Sequence, residues 1–182
     1  MRELSLNVLD IVQNSITALS LLTTVAVYEN TAEQKLRIEV TDTGKGMTEE
    51  QVQNVVDPFF TTRTTRSVGL GVPLFKMAAE QTGGSFEISS VLGSGTHLAA
   101  DFVTSSIDMP PLGDINSTIS VLIRMNPHID FIYTYETGGQ SFTLDTRELR
   151  TMLSDVPLDN PDVMAWIDEF LTENTNELKN SK

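Results

Sequence analysis

A carboxylate and an amide stand four residues apart near the start of the chain. In a helix, Asp10 and Asn14 would project from the same side at this spacing. The amide oxygen of Asn14 could ligate a hard cation such as Mg²⁺, and the Asp10 carboxylate could orient or deprotonate a nearby nucleophile. Taken alone, the pair also fits a polar helix face in water, which is the commoner situation.

A glycine-rich turn follows a run of β-branched residues. Residues 42–47 read DTGKGM. Gly44 and Gly46 would let the backbone approach a flat ligand closely. Asp42, at the end of the strand, could accept a hydrogen bond from an exocyclic amine. A tight turn between a strand and a helix explains the same residues without a ligand.

Two aromatic residues precede a polar segment, residues 61–68, that holds two arginines. Phe59 and Phe60 could fasten the base of a mobile loop, or they could belong to the core, and we expect at least one of them in the core. Arg63 and Arg66 could neutralise phosphates as bidentate donors. On an acidic protein they could equally be surface charges that keep the chain soluble.

Glycines also mark two later turns. Gly69-Leu70-Gly71 opens a predicted helix, and backbone N–H groups and the helix dipole at such a terminus suit an anion. A flexible turn into the helix is the alternative. The sequence GSGT at residues 93–96 fits the tip of a hairpin.

The order of these motifs resembles the ATP-binding domain shared by sensor histidine kinases, DNA gyrase, heat-shock chaperones and mismatch-repair ATPases, the GHKL family with its Bergerat fold. Residues 10–18 look like the mismatch-repair version of the first motif, whereas Gly-Leu-Gly and Gly-Ser-Gly-Thr look more like the kinase versions. The resemblance covers roughly residues 4–103. It implies an α+β fold, a two-layer α/β sandwich with a mixed sheet and helices on one face.

The resemblance also implies a site for ATP and Mg²⁺. Asn14 would hold the metal, Asp10 would orient or activate the attacking water or hydroxyl, and Asp42 would accept a hydrogen bond from the adenine amino group. The other ATP-binding positions that it implies are Gly44, Gly46, Met47, Phe59, Phe60, Thr62, Arg63, Gly69, Leu70, Gly71 and Thr96.

The sequence departs from the family pattern at several positions. The base position is often Glu in the family, and Asp10 is one methylene shorter, so hydrolysis could be slow or absent. Ser67 stands where many kinases carry a further glycine. The chain starts almost at the first motif, and neither His97 nor His128 has a helical setting suited to a phosphoacceptor. We therefore do not expect an autophosphorylating sensor kinase.

Two functions follow from the resemblance. The first is a Mg²⁺-dependent ATP-binding protein that regulates a partner protein, either by phosphoryl transfer to Ser or Thr, as in the anti-sigma-factor kinases, or by slow ATP hydrolysis. A partner could instead supply a histidine in trans. The alternative is an ATP-gated interaction module with little or no turnover. A protein partner is expected in either case, and a homodimer is compatible with the sequence.

Periodicity and turn residues predict the elements that would position these motifs. Thr48 is a predicted helix N-cap, and Pro58 should end that helix. The remaining predicted helices are 4–22 and 70–81, and the predicted strands are 24–29, 36–41, 86–91 and 96–103.

A linker rich in proline is predicted at residues 105–113, which divides the chain into an ATP-binding domain, 1–106, and a small α+β C-terminal extension of unknown role, 107–182. The extension should contain helices at 115–125, 146–153 and 161–178 and strands at 130–136 and 140–144. Trp166, Ile167 and Phe170 should pack on the domain, or else form a partner-binding face. The polar tail from Thr172 should fray.

Composition excludes several classes of protein. The chain has 25 acidic and 12 basic residues among 182, a net charge of −13, so non-specific binding to nucleic acid or to an anionic membrane is not expected. Cysteine is absent, which excludes disulfides and Cys-ligated zinc. Neither a signal sequence nor an apolar stretch of about 18 to 20 residues is present, so we expect a cytoplasmic protein without membrane contact.

Overall fold

The computed structural model describes residues 2–60 and 70–181. Its helices are α1 (Leu4–Thr17), α2 (Glu49–Val55), α3 (Gly71–Gln81), α4 (Ile115–Met125), α5 (Thr146–Leu153) and α6 (Pro161–Asn180). Its strands are β1 (Leu22–Asn30), β2 (Lys35–Asp42), β3 (Ser85–Val91), β4 (Gly95–Val103), β5 (Asp130–Thr137) and β6 (Gln140–Asp145).

The strands form one mixed six-stranded sheet in the order β3-β4-β2-β1-β5-β6. β1 and β5 run parallel, and the other neighbouring pairs run antiparallel. The prediction of an α+β fold with a mixed sheet is confirmed. The parallel pair joins residues from the two halves of the chain, so the sheet continues across the predicted boundary at residue 106.

One face of the sheet carries the core. Alternate residues of β2, Leu36, Ile38 and Val40, are buried because strand side chains point alternately to opposite faces. They share a hydrophobic cluster with the apolar stripes of α1, α3, α4 and α6. This arrangement confirms the predicted two layers, with the helices packed on one face.

The opposite face of the sheet is polar. Arg37 on β2 donates hydrogen bonds to Glu39, to Asp101 on β4 at 2.7 Å and to Glu87 on β3 at 2.8 Å. Its hydrogen bonds to Glu39 and Glu87 raise the pKa of the Arg37 guanidinium above its ordinary value. A charge network thus ties three neighbouring strands together on the side away from the core.

Two helices end at residues other than those predicted. α1 ends at Thr17 rather than near residue 22, because Leu19 has a positive φ of 62°, which a helix cannot continue through. α6 continues to Asn180, so the prediction of a frayed tail from Thr172 is wrong. Its last turns are held by Thr175, which is buried and accepts a hydrogen bond from Asn116 of α4 at 3.0 Å.

The C-terminal helices pack as the sequence suggested. Ile167 is fully buried and Phe170 is partly buried against the core, whereas Trp166 is 44% exposed and stacks on Phe170. Within residues 2–60 and 70–181, no helix combines the length and the apolar character that a membrane span requires.

Candidate functional site

A cavity of about 240 Å³ opens at the end of the sheet where β2 and β4 meet the start of α3. Its volume lies near the lower limit of about 300 Å³ for small-molecule sites. Its walls are largely apolar, from Ile11, Val40, Val72, Ile88 and Leu98. Polar groups come from Asn14, Ser15, Asp42, Lys45 and Thr96. Such a cavity suits a flat heterocycle that needs a few directed hydrogen bonds.

Asp42 forms the polar floor of this cavity. The residue is only 9% exposed, at the last position of β2. Ser15 Oγ of α1 donates to Asp42 Oδ2 at 2.7 Å, and the Gly44 N–H donates to Asp42 Oδ1 at 2.8 Å. Each carboxylate oxygen can accept a second hydrogen bond, so Asp42 is held in place and still able to accept from a ligand.

The turn after Asp42 is tied to α1 on one side and to the β3–β4 hairpin on the other. The Lys45 N–H donates to Ala18 O at 2.9 Å, and the Gly93 N–H donates to Lys45 O at 2.8 Å. Gly46 has a φ of 70°, and a Cβ there would lie 2.0 Å from Val91 O. Glycine is therefore required where the turn passes the hairpin.

Thr96 lies beside Asp42 because the two residues pair across β4 and β2. Thr96 Oγ1 and Ser90 Oγ are 2.8 Å apart, and Ser90 Oγ accepts from the Met47 N–H at 2.8 Å. Met47 and Thr96 are thus linked through Ser90. The structure brings together the predicted residues Asn14, Asp42, Gly46, Met47 and Thr96 around one cavity.

Two residues of the site were missed from the sequence. Ser15 continues the buried stripe of α1 formed by Leu4, Val8 and Ile11, so a polar residue on an apolar helix face was an available signal. Ser90 offered a weaker signal of the same kind, because it follows Phe86 and Ile88 on the less exposed face of β3. Its role depends on the register between β3 and β4.

Asp10 lies outside the cavity, at the first turn of α3. A Cβ on Gly71 would be 2.9 Å from Asp10 Cβ, so the two predicted site residues meet where α1 crosses the start of α3. Arg2 Nη2 donates to Asp10 Oδ2 at 2.6 Å. The carboxylate of Asp10 is therefore already paired with a cation that the sequence did not associate with the site.

The polar segment 61–68, predicted to contact phosphates, has Phe59 and Phe60 before it and Leu70 after it. Phe59 is 91% exposed and Phe60 is 51% exposed, so the expectation of at least one in the core is wrong. The reason is that they follow α2, a surface helix that has no buried residue and ends before Pro58. Leu70 is also exposed. Thr62, Arg63 and Gly69 lie outside the described residues, and their roles stay predictions.

A metal at this site would need ligands from beyond the protein. Within residues 2–60 and 70–181, no group of three or more His, Cys, Asp or Glu residues could hold a metal ion. Mg²⁺ commonly takes one or two protein ligands and completes its shell with water and substrate phosphates. The amide of Asn14, which lines the cavity, fits that mode of binding.

A protein-family model covers most of the chain. The family described as histidine kinase-, DNA gyrase B-, and HSP90-like ATPase matches residues 2–126. The match includes the cavity, Asp10 and α4, and it extends beyond residue 106.

Sequence relatives are bacterial sensor proteins. Sensor histidine kinase ZraS of Klebsiella oxytoca is 39% identical over 72 residues, which is 40% of this chain and 15% of that protein. ZraS of Escherichia coli O157:H7 is 31% identical over 87 residues, which is 48% of this chain and 19% of that protein. Sensor protein SrrB of Staphylococcus aureus strain COL is 41% identical over 73 residues, which is 37% of this chain and 12% of that protein. The matched segment is thus less than a fifth of each relative.

A solved structure with a similar arrangement is the MutL ATPase domain of Aquifex aeolicus complexed with ADP. It aligns with a TM-score of 0.48 at 17% sequence identity, over 76% of this chain and 60% of that one.

Proposed function

The chain belongs to the family of histidine kinase-, DNA gyrase B- and HSP90-like ATPases, and from this premise we propose that it binds ATP with Mg²⁺ at the Asp42 cavity and regulates a partner protein. The regulation would proceed by phosphoryl transfer to a Ser or Thr of the partner, or by slow hydrolysis. The observation that carries the proposal is the buried Asp42 carboxylate, fixed by Ser15 and Gly44 and able to accept from a ligand amine.

The base of the nucleotide fits the cavity by shape and by hydrogen bonding. Val40, Ile88 and Leu98 give it apolar walls, which favour a flat aromatic ring. An ionised Asp42 carboxylate accepts hydrogen bonds and cannot donate them. It therefore pairs with the exocyclic amino group of adenine, whereas the carbonyl oxygen of guanine at the same position offers it no donor. This difference predicts a preference for ATP over GTP.

The phosphates would extend toward the start of α3. Asn14 and Val72 both line the cavity, and Val72 belongs to the first turn of α3, where free backbone N–H groups favour an anion. When bound, Mg²⁺ would neutralise phosphate charge. We propose that the same phosphates are contacted by Thr62, Arg63 and Gly69. The polar segment 61–68 would be held at its two ends by Phe59, Phe60 and Leu70.

Asp10 is the proposed catalytic residue. It lies against Gly71 at the start of α3, next to the expected phosphates. A carboxylate there can accept the proton of an attacking hydroxyl from a partner, or of water. His97 lies in β4, and His128 lies between α4 and β5, so neither is on a helix. The acceptor is therefore sought outside residues 1–182.

The sensor histidine kinases among the relatives favour testing a histidine of that partner alongside Ser and Thr. The bond formed identifies the acceptor, because phosphohistidine is lost in acid whereas phosphoserine and phosphothreonine survive. A labelled partner that keeps its phosphate after acid treatment would support transfer to a hydroxyl.

An ATP-gated interaction module with little turnover is the second candidate function. The observation that favours it is the pairing of Asp10 Oδ2 with Arg2, which occupies one oxygen of the proposed base. In this mode, nucleotide binding would order part of the surface and present it to a partner. Turnover measured with and without candidate partners distinguishes the two functions.

The first test is calorimetric titration of Mg²⁺–ATP into the wild type and Asp42→Asn, with GTP as a second ligand. The amide of the variant can still accept from the Gly44 N–H and can donate to Ser15 Oγ, so the fold should survive. The lost acceptor should weaken ATP binding by about tenfold or more, which corresponds to about 1.4 kcal/mol or more.

The matched control is Asp155→Asn, which removes a carboxylate from an exposed turn after α5 and should leave ATP affinity unchanged. Equal affinities of the wild type and Asp42→Asn for ATP would contradict the proposed site. Binding of GTP as tight as that of ATP would contradict the role given to Asp42.

The partner is proposed to be a protein with a basic surface. Residues 107–182 carry five basic and thirteen acidic residues, so a positively charged partner would be favoured over nucleic acid or an anionic membrane. A homodimer and a cytoplasmic location are also part of the proposal, and light scattering of the purified chain at several concentrations tests the first of these.

A further inference from the structure

We propose that Arg2 is a positioning residue of the ATP site, which neutralises Asp10 and so allows that carboxylate to lie beside the triphosphate. The inference rests on the proposed function, because it supposes that ATP binds at the Asp42 cavity. It assigns a role to a residue that none of the sequence motifs contains.

Arg2 is directly bonded to Asp10. Its Nη2 lies 2.6 Å from Asp10 Oδ2 and 3.4 Å from Leu6 O. The arginine also lines a groove with Leu74 of α3, so it approaches Asp10 from the side on which α1 and α3 pack together. Both side chains are about two-fifths exposed, at 43% for Arg2 and 41% for Asp10.

The position of Asp10 makes its charge important for a nucleotide. Asp42, Asn14 and Val72 all line the cavity, so a path through it from Asp42 to Val72 reaches the first turn of α3. Asp10 is packed against Gly71, the residue before Val72. A polyphosphate that leaves the cavity along this path therefore ends next to the Asp10 carboxylate.

An unpaired carboxylate at that point would repel the phosphates. Like charges a few ångströms apart near a protein surface repel strongly enough to change affinity, and this chain already carries a net charge of −13. Arg2 offsets the charge of Asp10 through its bond to Oδ2. Because an exposed ion pair of this kind adds little to folding stability, its effect should be found in nucleotide binding.

The test is a binding cycle that needs no turnover. Calorimetry with Mg²⁺–ATP and Mg²⁺–ADP is performed on the wild type, Arg2→Ala, Asp10→Asn and the double variant. Arg2→Ala should weaken ATP binding about tenfold and ADP binding about threefold or less, since ADP lacks the outermost phosphate. The double variant should bind ATP within about twofold of the wild type, because it has lost one charge of each sign near the phosphates, and Asp10→Asn alone should bind ATP at least as tightly as the wild type.

Two further variants separate positioning from folding. Arg2→Lys keeps the charge and should retain most of the ATP affinity. Arg147→Ala removes an arginine bonded to Asp145 at 2.7 Å, at the start of α5, and should leave both affinities unchanged. The thermal unfolding midpoint of Arg2→Ala should match that of the wild type within experimental error.

The results of these titrations distinguish failure of the role given to Arg2 from failure of the proposed ATP site. Equal losses for ATP and ADP in Arg2→Ala, or a double variant as weak as Arg2→Ala, would overturn the inference. If ATP binds and Asp42→Asn abolishes that binding while Arg2→Ala has no effect, only the inference fails. If the wild type binds neither nucleotide, the proposed function fails and the inference fails with it.

Discussion

At the scale of single residues, the site depends on a few close approaches between backbone and side chain. The spacing of Asp42, Gly44 and Gly46 was enough to predict a tight turn after β2. Glycine has a direct steric reason there, because the backbone passes close to Ala18 at Gly44 and to Val91 at Gly46. Ser90 and Arg2 could not be predicted in the same way. Their contacts with Met47 and Asp10 depend on strand register and on where the chain before α1 lies.

Gly46→Ala should destabilise the protein and weaken ATP binding. The new Cβ would meet Val91 O at 2.0 Å, and the backbone already has a φ of 70°. The left-handed conformation costs about 1–2 kcal/mol for an L-residue, and relieving the overlap costs a further 1–3 kcal/mol or so, roughly as overpacking does. Urea unfolding should show a loss of about 2–5 kcal/mol.

Gly138→Ala is the matched control for this variant. Its φ is 62°, close to that of Gly46, but a Cβ there would have no atom within 4 Å. The substitution should cost only about 1–2 kcal/mol, from the backbone conformation alone. Equal losses for the two variants would mean that the turn is not fixed against the β3–β4 hairpin.

At the scale of elements, local signals predicted most helices and strands, and tertiary contacts decided their ends. The N-cap of α2 could be predicted because it depends on neighbours in sequence: Thr48, the predicted cap, forms a capping box with Gln51. Asp114 caps α4 in a similarly local way, because it accepts a hydrogen bond from the Ser117 N–H. The end of α6 could not be predicted, because it depends on a hydrogen bond from Asn116 of α4 to Thr175.

Asp114→Ala should destabilise α4 in a pH-dependent way. Hydrogen bonds from the Ser117 hydroxyl and N–H lower the pKa of Asp114 in the folded protein. A lowered pKa contributes stability above the unfolded pKa of about 3.9, and this contribution is lost as pH falls through the folded pKa. Loss of the cap should cost about 1 kcal/mol at pH 7.

Urea unfolding of the wild type and Asp114→Ala between pH 7 and pH 3 measures this effect. The difference between the two proteins should narrow below about pH 4, as the carboxylate is protonated. Asp155→Ala, at an exposed position after α5, is the control and should change little at either pH. A difference that stays constant with pH would mean that the cap does not depend on the ionised carboxylate.

At the scale of the whole molecule, the sheet unites the two halves of the sequence. The proline-rich linker predicted a small α+β extension from residue 107, and in the structure β5 of this segment pairs along nearly the whole of β1, from Leu22–Asp130 to Glu29–Thr137. Pairing between segments so far apart in the chain cannot be predicted from the residues of either strand. The family motifs predicted the first half of the molecule well because they are contiguous runs with local steric reasons.

Unfolding in urea should therefore be a single transition. Trp166, the one tryptophan in the sequence, stacks on Phe170 in α6, so its fluorescence reports on the second half of the chain. Far-UV circular dichroism reports on all the helices and strands. The two midpoints should coincide, because one hydrophobic cluster includes residues of both halves.

Truncation after residue 106 gives an independent check. It removes β5 and α4, which cover one edge of β1 and one side of α1, so the fragment should lose its cooperative transition. Two separate transitions in the full chain, or a fragment that unfolds cooperatively by itself, would contradict a single folding unit.

The parallel pairing of β1 with β5 has a consequence for synthesis on the ribosome. Leu22 pairs with Asp130, far later in the chain, so β1 leaves the exit tunnel long before its partner has been translated. During that interval one edge of β1, with the apolar residues Val25, Ala26 and Val27, would present unpaired backbone groups, which is the usual template for aggregation. Nascent chains stalled before residue 130 should therefore recruit chaperones, and chains released at full length should not.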